Sequence, residues 1–458
     1  MAQKYDPESF TELYINGEYV EAKSGKSFSL NHPKNNKQVV SAVPIAGPED
    51  VDLAVEVAEK AFHGEWSKFT AMQRTECLHR LAALVEEEFV SILSLDSLTS
   101  GNPTSIIPTR EKTYVKNCIM YYSGWTDNQA GDFFPDDDDF AKIVTHEPLG
   151  VCAAINPFNA PVPTMFLKVP PALVTGNVII AKPSEKTPLG TLAAEPLFER
   201  AGIPKGVVQI LTGAGETGAL LANHIRIRKI SFTGSINTGK KIQAAASNSN
   251  LKRVTLELGG KSRAVVFDDA NLDNALAWTV NAILARSGQV CVAATRVYVQ
   301  SSIAKDFIAR YTKKMKAAAA DIGDPQVPTV KLGPLGEAEL VVGGVQHGET
   351  GCYMEPTVFP NPKADAEIYK TEIFGPVSIV KTFETEEEVL KLANDTEYGL
   401  MSGAFTKDIT RALRFAKGLD MGVVGINCVS YSGIGREFGE YALRAYTESK
   451  TILINMNA

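Results

Sequence analysis

Several things are scarce in this chain of 458 residues, and each scarcity excludes something. Its six cysteines, Cys77, Cys118, Cys152, Cys291, Cys352 and Cys428, lie far apart with no CxxC pair. That is poor material for a disulfide framework or a zinc site, and it suits a reducing compartment. The six histidines are scattered, with no HExxH spacing, so no metal is expected. A basic excess is missing too: the formal net charge is −7 and Lys and Arg are dispersed, which argues against a nucleic-acid partner. No apolar run approaches the ~20 residues that span a bilayer. The polar start, Met1-Ala-Gln-Lys-Tyr-Asp-Pro7, lacks the apolar core of a signal peptide. The expectation is a soluble cytoplasmic protein of about three domain-sized units, long enough to bury a large core without staples.

What is present is α/β texture. Val51, Ala54, Val55, Ala58 and Phe62 recur at three- and four-residue steps, with Asp52, Glu56, Glu59 and Lys60 opposite and Pro48 at the start, which predicts a helix over 48–62. Residues 73–97 continue helically. From about residue 148 short apolar runs at 151–155, 178–181, 207–211 and 230–232 end in Gly or Pro and alternate with helical stretches. Such alternation implies a parallel sheet covered on both faces, with ligands beyond the carboxyl ends of its strands. A second alternating region follows Leu258: strand 264–267, helix 271–286, strand 297–299 and helix 303–318. The four aspartates at 136–139 are expected to form a solvated turn.

Two glycine-rich stretches suggest an anionic ligand. Gly213-Ala-Gly215-Glu-Thr-Gly218 matches GxGxxG after a strand, although such a match is cheap among 36 glycines. Gly234-Ser-Ile-Asn-Thr-Gly239-Lys240 nearly matches a triphosphate loop, but Lys241 stands where a Ser or Thr should hold Mg²⁺. Backbone N–H groups at a helix start fit a dinucleotide pyrophosphate better than ATP here.

Three segments carry chemistry. Gly288-Gln-Val-Cys291 sets a cysteine after a glycine turn at a helix end; Leu256-Glu257-Leu-Gly-Gly260 sets a carboxylate at a strand end before two glycines; Asn156-Pro-Phe-Asn159-Ala-Pro161 sets an amide in a turn held by two prolines. With these residues the sequence resembles the aldehyde dehydrogenase superfamily, from about residue 12 to 453. Further markers, in order, are Pro171-Ala-Leu173 through Gly176-Asn177, Lys182-Pro-Ser-Glu185, Phe232-Thr-Gly-Ser235, Glu372-Ile-Phe-Gly-Pro376, Asn394 with Tyr398-Gly-Leu400, and Ser432-Gly-Ile-Gly-Arg-Glu437.

The resemblance implies oxidation of an aldehyde to its acid with NAD(P)⁺. Cys291 would add to the carbonyl carbon, and a lowered thiol pKa would raise the attacking fraction. The Asn159 side chain and the Cys291 backbone N–H would stabilise the oxyanion. Glu257 would activate water to hydrolyse the resulting thioester. Two alternatives stand beside this: a relative that passes the acyl group to coenzyme A, against which Glu257 argues, and a non-catalytic family member, against which the intact Cys291, Glu257 and Asn159 argue. For the cofactor the resemblance implies Ile155, Asn156, Pro157, Phe158, Lys182, Ser184, Glu185, Gly215, Gly218, Phe232, Gly234, Ser235, Thr238, Leu258, Glu372 and Phe374. Glu185 would accept from ribose hydroxyls and repel a 2′-phosphate, which favours NAD⁺ over NADP⁺.

It also implies a Rossmann-type cofactor domain (12–125 and 146–257), a second α/β catalytic domain (258–435) and a small β arm (126–145 and 442–458) that builds a homodimer or homotetramer. The sequence departs from the family at Phe158, where Trp is usual, and at two abrupt junctions. A surface helix is missing after Gly336, and an entrance loop is missing between Ser430 and Ser432.

Overall fold

A computed structural model of the protein describes residues 4–105, 107–136, 138–335, 346–429 and 439–457. The two abrupt junctions, and the 432–437 marker, lie outside these residues.

The leading helices form where their sequence signals place them. Pro48–His63 opens on proline, with the Asp50 carboxylate accepting from the Gly47 N–H at 2.8 Å, and buries Val51, Ala54, Val55 and Ala58. Ala71–Ser100 opens on a reciprocal Thr70–Gln73 cap and stops at Gly101, whose φ of 74° a side chain would resist.

These helices pack on a seven-stranded sheet ordered Arg253–Leu258, Lys229–Gly234, Val151–Ile155, Val178–Lys182, Val208–Ile210, Leu13–Ile15 and Glu18–Val20. The first five strands run parallel. Val151–Ile155 and Val178–Lys182 are buried at every position, hence their unbroken apolar character. The last two strands are an antiparallel hairpin on the sheet edge, an element the sequence reading lacked. Chain order reverses across Val151–Ile155, so the sheet has its switch point there.

A second sheet of six strands is parallel throughout: Thr357–Pro360, Val377–Phe383, Arg296–Gln300, Arg263–Val266, Met401–Phe405 and Val423–Ile426. One large core lies about the first sheet, and smaller cores flank the second. The helix expected over 271–286 ends earlier, as Leu272–Leu284, because Arg286 and Ser287 turn left-handed. The third sheet pairs Thr447–Asn455 with Phe140–Pro148 over nine residues, with Asp132–Phe134 on its far side.

None of the six cysteines is in a disulfide. Of the five besides Cys291, Cys77, Cys118 and Cys152 are buried, and Cys352 and Cys428 keep partial exposure. Asp136, Asp138 and Asp139 are exposed, Asp138 pairing with Lys142, and Asp137 lies outside the described residues. Among the described residues no group of three His, Cys, Asp or Glu side chains could hold a metal. No helix there is long and apolar enough to cross a membrane.

Candidate active site

Parallel register brings distant motifs into one row. Lys182 stands opposite Ile155, Ile155 opposite Phe232, and Phe232 opposite Leu256, with Thr233 opposite Glu257 and Gly234 opposite Leu258 one step on. Four strands thus end together at the switch point. Asn156 follows directly: its N–H donates to the Lys182 carbonyl at 2.9 Å, while both polar atoms of its buried side chain lack a partner. A buried amide with both ends unsatisfied costs free energy unless a ligand meets it.

The glycine loops flank this row. Gly215 opens the helix Gly215–Asn223, and a methyl there would meet open space. A methyl at Gly218 would lie 3.6 Å from Ile155 and 3.8 Å from Lys182. Gly234 lies beneath the folded-back Phe232 ring, and Ser235 caps Ile236–Asn248 by accepting from the Thr238 N–H at 3.3 Å. Gly239 serves packing, since a methyl there would sit 2.7 Å from Leu258. Lys182 is buried, donates to the Pro183 carbonyl at 2.9 Å and lies 3.9 Å from the half-exposed Glu185. Burial pulls its ammonium down to about 8, with Glu185 opposing. Ser184, half-buried beside them, accepts from the Lys186 N–H at 3.3 Å.

The turn 156–159 after Ile155 is pinned from several sides. The Thr187 hydroxyl donates to the Phe158 carbonyl at 2.8 Å, and Lys186 lies over the Phe158 ring at 5.0 Å. Phe158 meets Phe374 edge to face, centroids 5.6 Å apart. Pro157 leads into that turn and leaves no N–H to satisfy.

The cysteine, amide and carboxylate motifs converge. The Asn159 amide donates to the Gln289 carbonyl at 2.8 Å, two residues before Cys291. That contact fixes which end of the amide is the donor and leaves one N–H on the same nitrogen. A methyl on Gly260 would lie 2.3 Å from the Cys291 carbonyl oxygen, so the chain from Glu257 passes hard against the cysteine. A methyl on Gly259 would likewise run into the Glu372 carboxylate, and the Gly260 N–H donates to Glu372 Oε1 at 3.0 Å. Gly288, at φ 79°, abuts the Gly375 carbonyl next to Phe374.

The electrostatics of Cys291 run against a resting thiolate. Burial, then the Glu257 and Glu372 carboxylates, push the thiol up to about 12, although the N–H groups of Cys291 and Val292 pull it down. The residue keeps some surface, but its sulfur is desolvated. The pKa depression anticipated from the nucleophilic role is absent from the chain by itself. Glu372 is also raised by burial, against the pull of Gly260 N–H and Lys261.

Comparison with known proteins agrees with this geometry. A family model described as "Aldehyde dehydrogenase family" matches residues 19–339 and 336–452. The chain belongs to the aldehyde dehydrogenase family. Aldehyde dehydrogenase 1A1 of Gallus gallus is 38% identical over 480 residues, covering 98% of this chain and 94% of that protein. Retinal dehydrogenase 2 of Mus musculus is 38% identical, with 98% and 92% covered. Among solved structures, the NAD⁺ complex of an aldehyde dehydrogenase from Bacillus cereus superposes with a TM-score of 0.93 at 34% identity, covering 98% of both chains.

The arrangement fits the dinucleotide an aldehyde dehydrogenase uses, on the unsatisfied Asn156 amide, the open face at Gly215 and the aligned strand ends. Sequence reasoning overlooked Arg286, Gln289, Asn102 and Glu111, which tie Asn159 in place. A charge closing the apolar run Ala282-Ile-Leu-Ala285 was the one available sign of Arg286. Gln289 acts through its main-chain carbonyl, which no residue type announces.

Proposed function

We propose that this protein oxidises an aldehyde to its carboxylic acid with NAD⁺, through a thioester on Cys291 that water hydrolyses. The observation that carries the reading is the convergence of the Asn159 amide and the Glu257–Gly260 segment on the loop bearing Cys291.

Cys291 is the nucleophile. Its sulfur is desolvated and holds its proton at rest, so attack needs a proton acceptor, and the Glu257 carboxylate, whose charge it feels, is the one at hand. Sulfur adds to the carbonyl carbon as that proton leaves, and negative charge moves to the carbonyl oxygen. Asn159, held by Gln289, offers its second N–H there beside the Cys291 backbone N–H. NAD⁺, when bound at the strand ends, would supply the two-electron hydride acceptor that the oxidation requires. Glu257 then sheds to solvent the proton it took from Cys291 and takes one from water; the hydroxide adds to the thioester, the carbon–sulfur bond breaks, and Glu257 returns its proton to the Cys291 sulfur. Glu372, half-buried and fixed by the Gly260 N–H, and Phe374, packed on Phe158, would hold the nicotinamide end. Lys182 and Glu185 stand at the ribose end, where the Glu185 carboxylate disfavours a 2′-phosphate.

Two variants test the assignment. Cys291→Ala is expected to abolish aldehyde-dependent NADH formation. Glu257→Gln is expected to give at most one equivalent of NADH per site, then turnover lower by about 10²–10⁴-fold, because the thioester persists. Full steady-state turnover by Glu257→Gln would remove it as the base.

A further inference from the structure

Arg286 sits just before the cysteine loop in a conformation that residues with side chains avoid, φ 49° and ψ 36°, and Ser287 repeats it. Such a turn persists only where its surroundings determine it. Here they do. The largely buried guanidinium donates through one nitrogen to the Asn159 main-chain carbonyl and through the other to the Glu111 carboxylate. Asn102 Nδ2 donates to that same carbonyl at 3.1 Å. The Arg286 carbonyl in turn accepts from the Gln289 N–H at 3.1 Å and from Gln289 Nε2 at 3.2 Å. The Gln289 carbonyl accepts from the Asn159 amide at 2.8 Å. The circuit closes on itself: Arg286 grips Asn159 by its backbone and Gln289 grips it by its side chain. Glu111 anchors the circuit to the helix Ile107–Ser123. The neighbouring Asp96 is buried, and its carboxyl is pushed up to about 8, which leaves Arg286 and Glu111 a one-to-one charge pair near neutral pH.

We propose that Arg286, bridging Glu111 to the Asn159 carbonyl, is a positioning residue that sets the Asn159 amide for the oxyanion formed on Cys291. The inference rests on Asn159 being the oxyanion donor. A bidentate guanidinium suits the task, because its rigid fork fixes two partners relative to each other in a way an ammonium cannot. Displacing a catalytic donor by about 1 Å can cost 10²-fold in rate.

The test is single-turnover NADH formation, with enzyme and NAD⁺ in excess over aldehyde, beside NAD⁺ affinity from fluorescence quenching. Arg286→Met is expected to slow the turnover roughly 10- to 100-fold while NAD⁺ affinity stays within about twofold. Arg286→Lys should recover part of the rate. In an Asn159→Ala background, adding Arg286→Met should cost less than about threefold, since the amide it positions is gone. Wild-type rates in Arg286→Met, or losses that multiply fully in the double variant, would overturn the inference and leave the oxyanion assignment standing. A wild-type rate in Asn159→Ala would overturn both. If Arg286→Met does not fold, Arg286→Lys and Glu111→Gln carry the test, and unchanged rates in both of these overturn it.

Discussion

At the scale of single residues, the Cys291 thiol carries the sharpest expectation. A thiol pushed up to about 12 by burial, Glu257 and Glu372 is protonated at neutral pH. Only the thiolate alkylates, and below the pKa its fraction rises about tenfold per pH unit. In the enzyme without cofactor, alkylation of the Cys291 peptide followed by mass spectrometry should therefore keep climbing through pH 10. A plateau between pH 7 and 8 would mean that the unaided chain stabilises the thiolate. The segments of Cys291, Glu257 and Asn159, which folding brings together, could be singled out in the sequence because the proposed chemistry needs those side chains in those short contexts. The resting charge of Cys291 was not legible, since it depends first on burial and then on two carboxylates, all of which only folding brings about. The Arg286–Asn159–Gln289 circuit was hidden for a related reason. All three of its links end on main-chain carbonyls, which every residue possesses.

Elements show where sequence patterns hold and where they fail. The runs ending at Ile155 and Lys182 were readable because strands buried on both faces must be continuously apolar. The hairpin Leu13–Ile15/Glu18–Val20 went unread at three residues a strand, although Asn16-Gly17 at its tip, both at positive φ, was a usable turn signal. Glycines after the Glu257 strand matter through close approach. A methyl at Gly260 would collide with the Cys291 backbone, which has no flexible end to move aside. Gly260→Ala is expected to lose about 1–3 kcal/mol of stability and about 10²-fold in kcat/KM; a value within threefold of wild type would mean the two segments are not in register. The second sheet holds an opposite case. Arg263 and Arg296 are cross-strand neighbours, both fully buried, bonded mainly to backbone carbonyls, and no carboxylate among the described residues lies within 4 Å of either. Arg263 Nε and Arg296 Nη2 have no partner. Burying two like charges side by side is unfavourable, so Arg263→Met, similar in length and uncharged, should hold or raise stability by about 1–3 kcal/mol. A fall of more than about 2 kcal/mol in denaturant melts would show that the Tyr398 contacts outweigh the charge cost.

For the whole molecule, the open question is what covers the third sheet. Thr447–Asn455 lies at its edge, so one side of its backbone has no strand beside it among the described residues. Its side chains face outward too: Leu453 is 61% exposed, with Ile452, Ile454 and Met456 also exposed, and Phe133 and Phe134 on the far strand are open as well. An unpaired edge with contiguous apolar side chains invites association unless something covers it. The described bulk of the molecule offers little cover, because the sheet meets it chiefly through Tyr446, Thr447 and the Pro148 end of Phe140–Pro148. A second copy of the same chain would bury both the edge and the side chains, which supports a homodimer or homotetramer built through this arm. Light scattering should therefore give at least twice the chain mass. Leu453→Lys paired with Ile454→Lys should shift the protein toward smaller species, since each added ammonium would have to be desolvated at the contact. The catalytic loop lies elsewhere, against Asn159 and Gly260, so single-turnover NADH formation should survive the change in size. A monomeric parent protein, or lysine variants that assemble unchanged, would leave this sheet without a role in assembly.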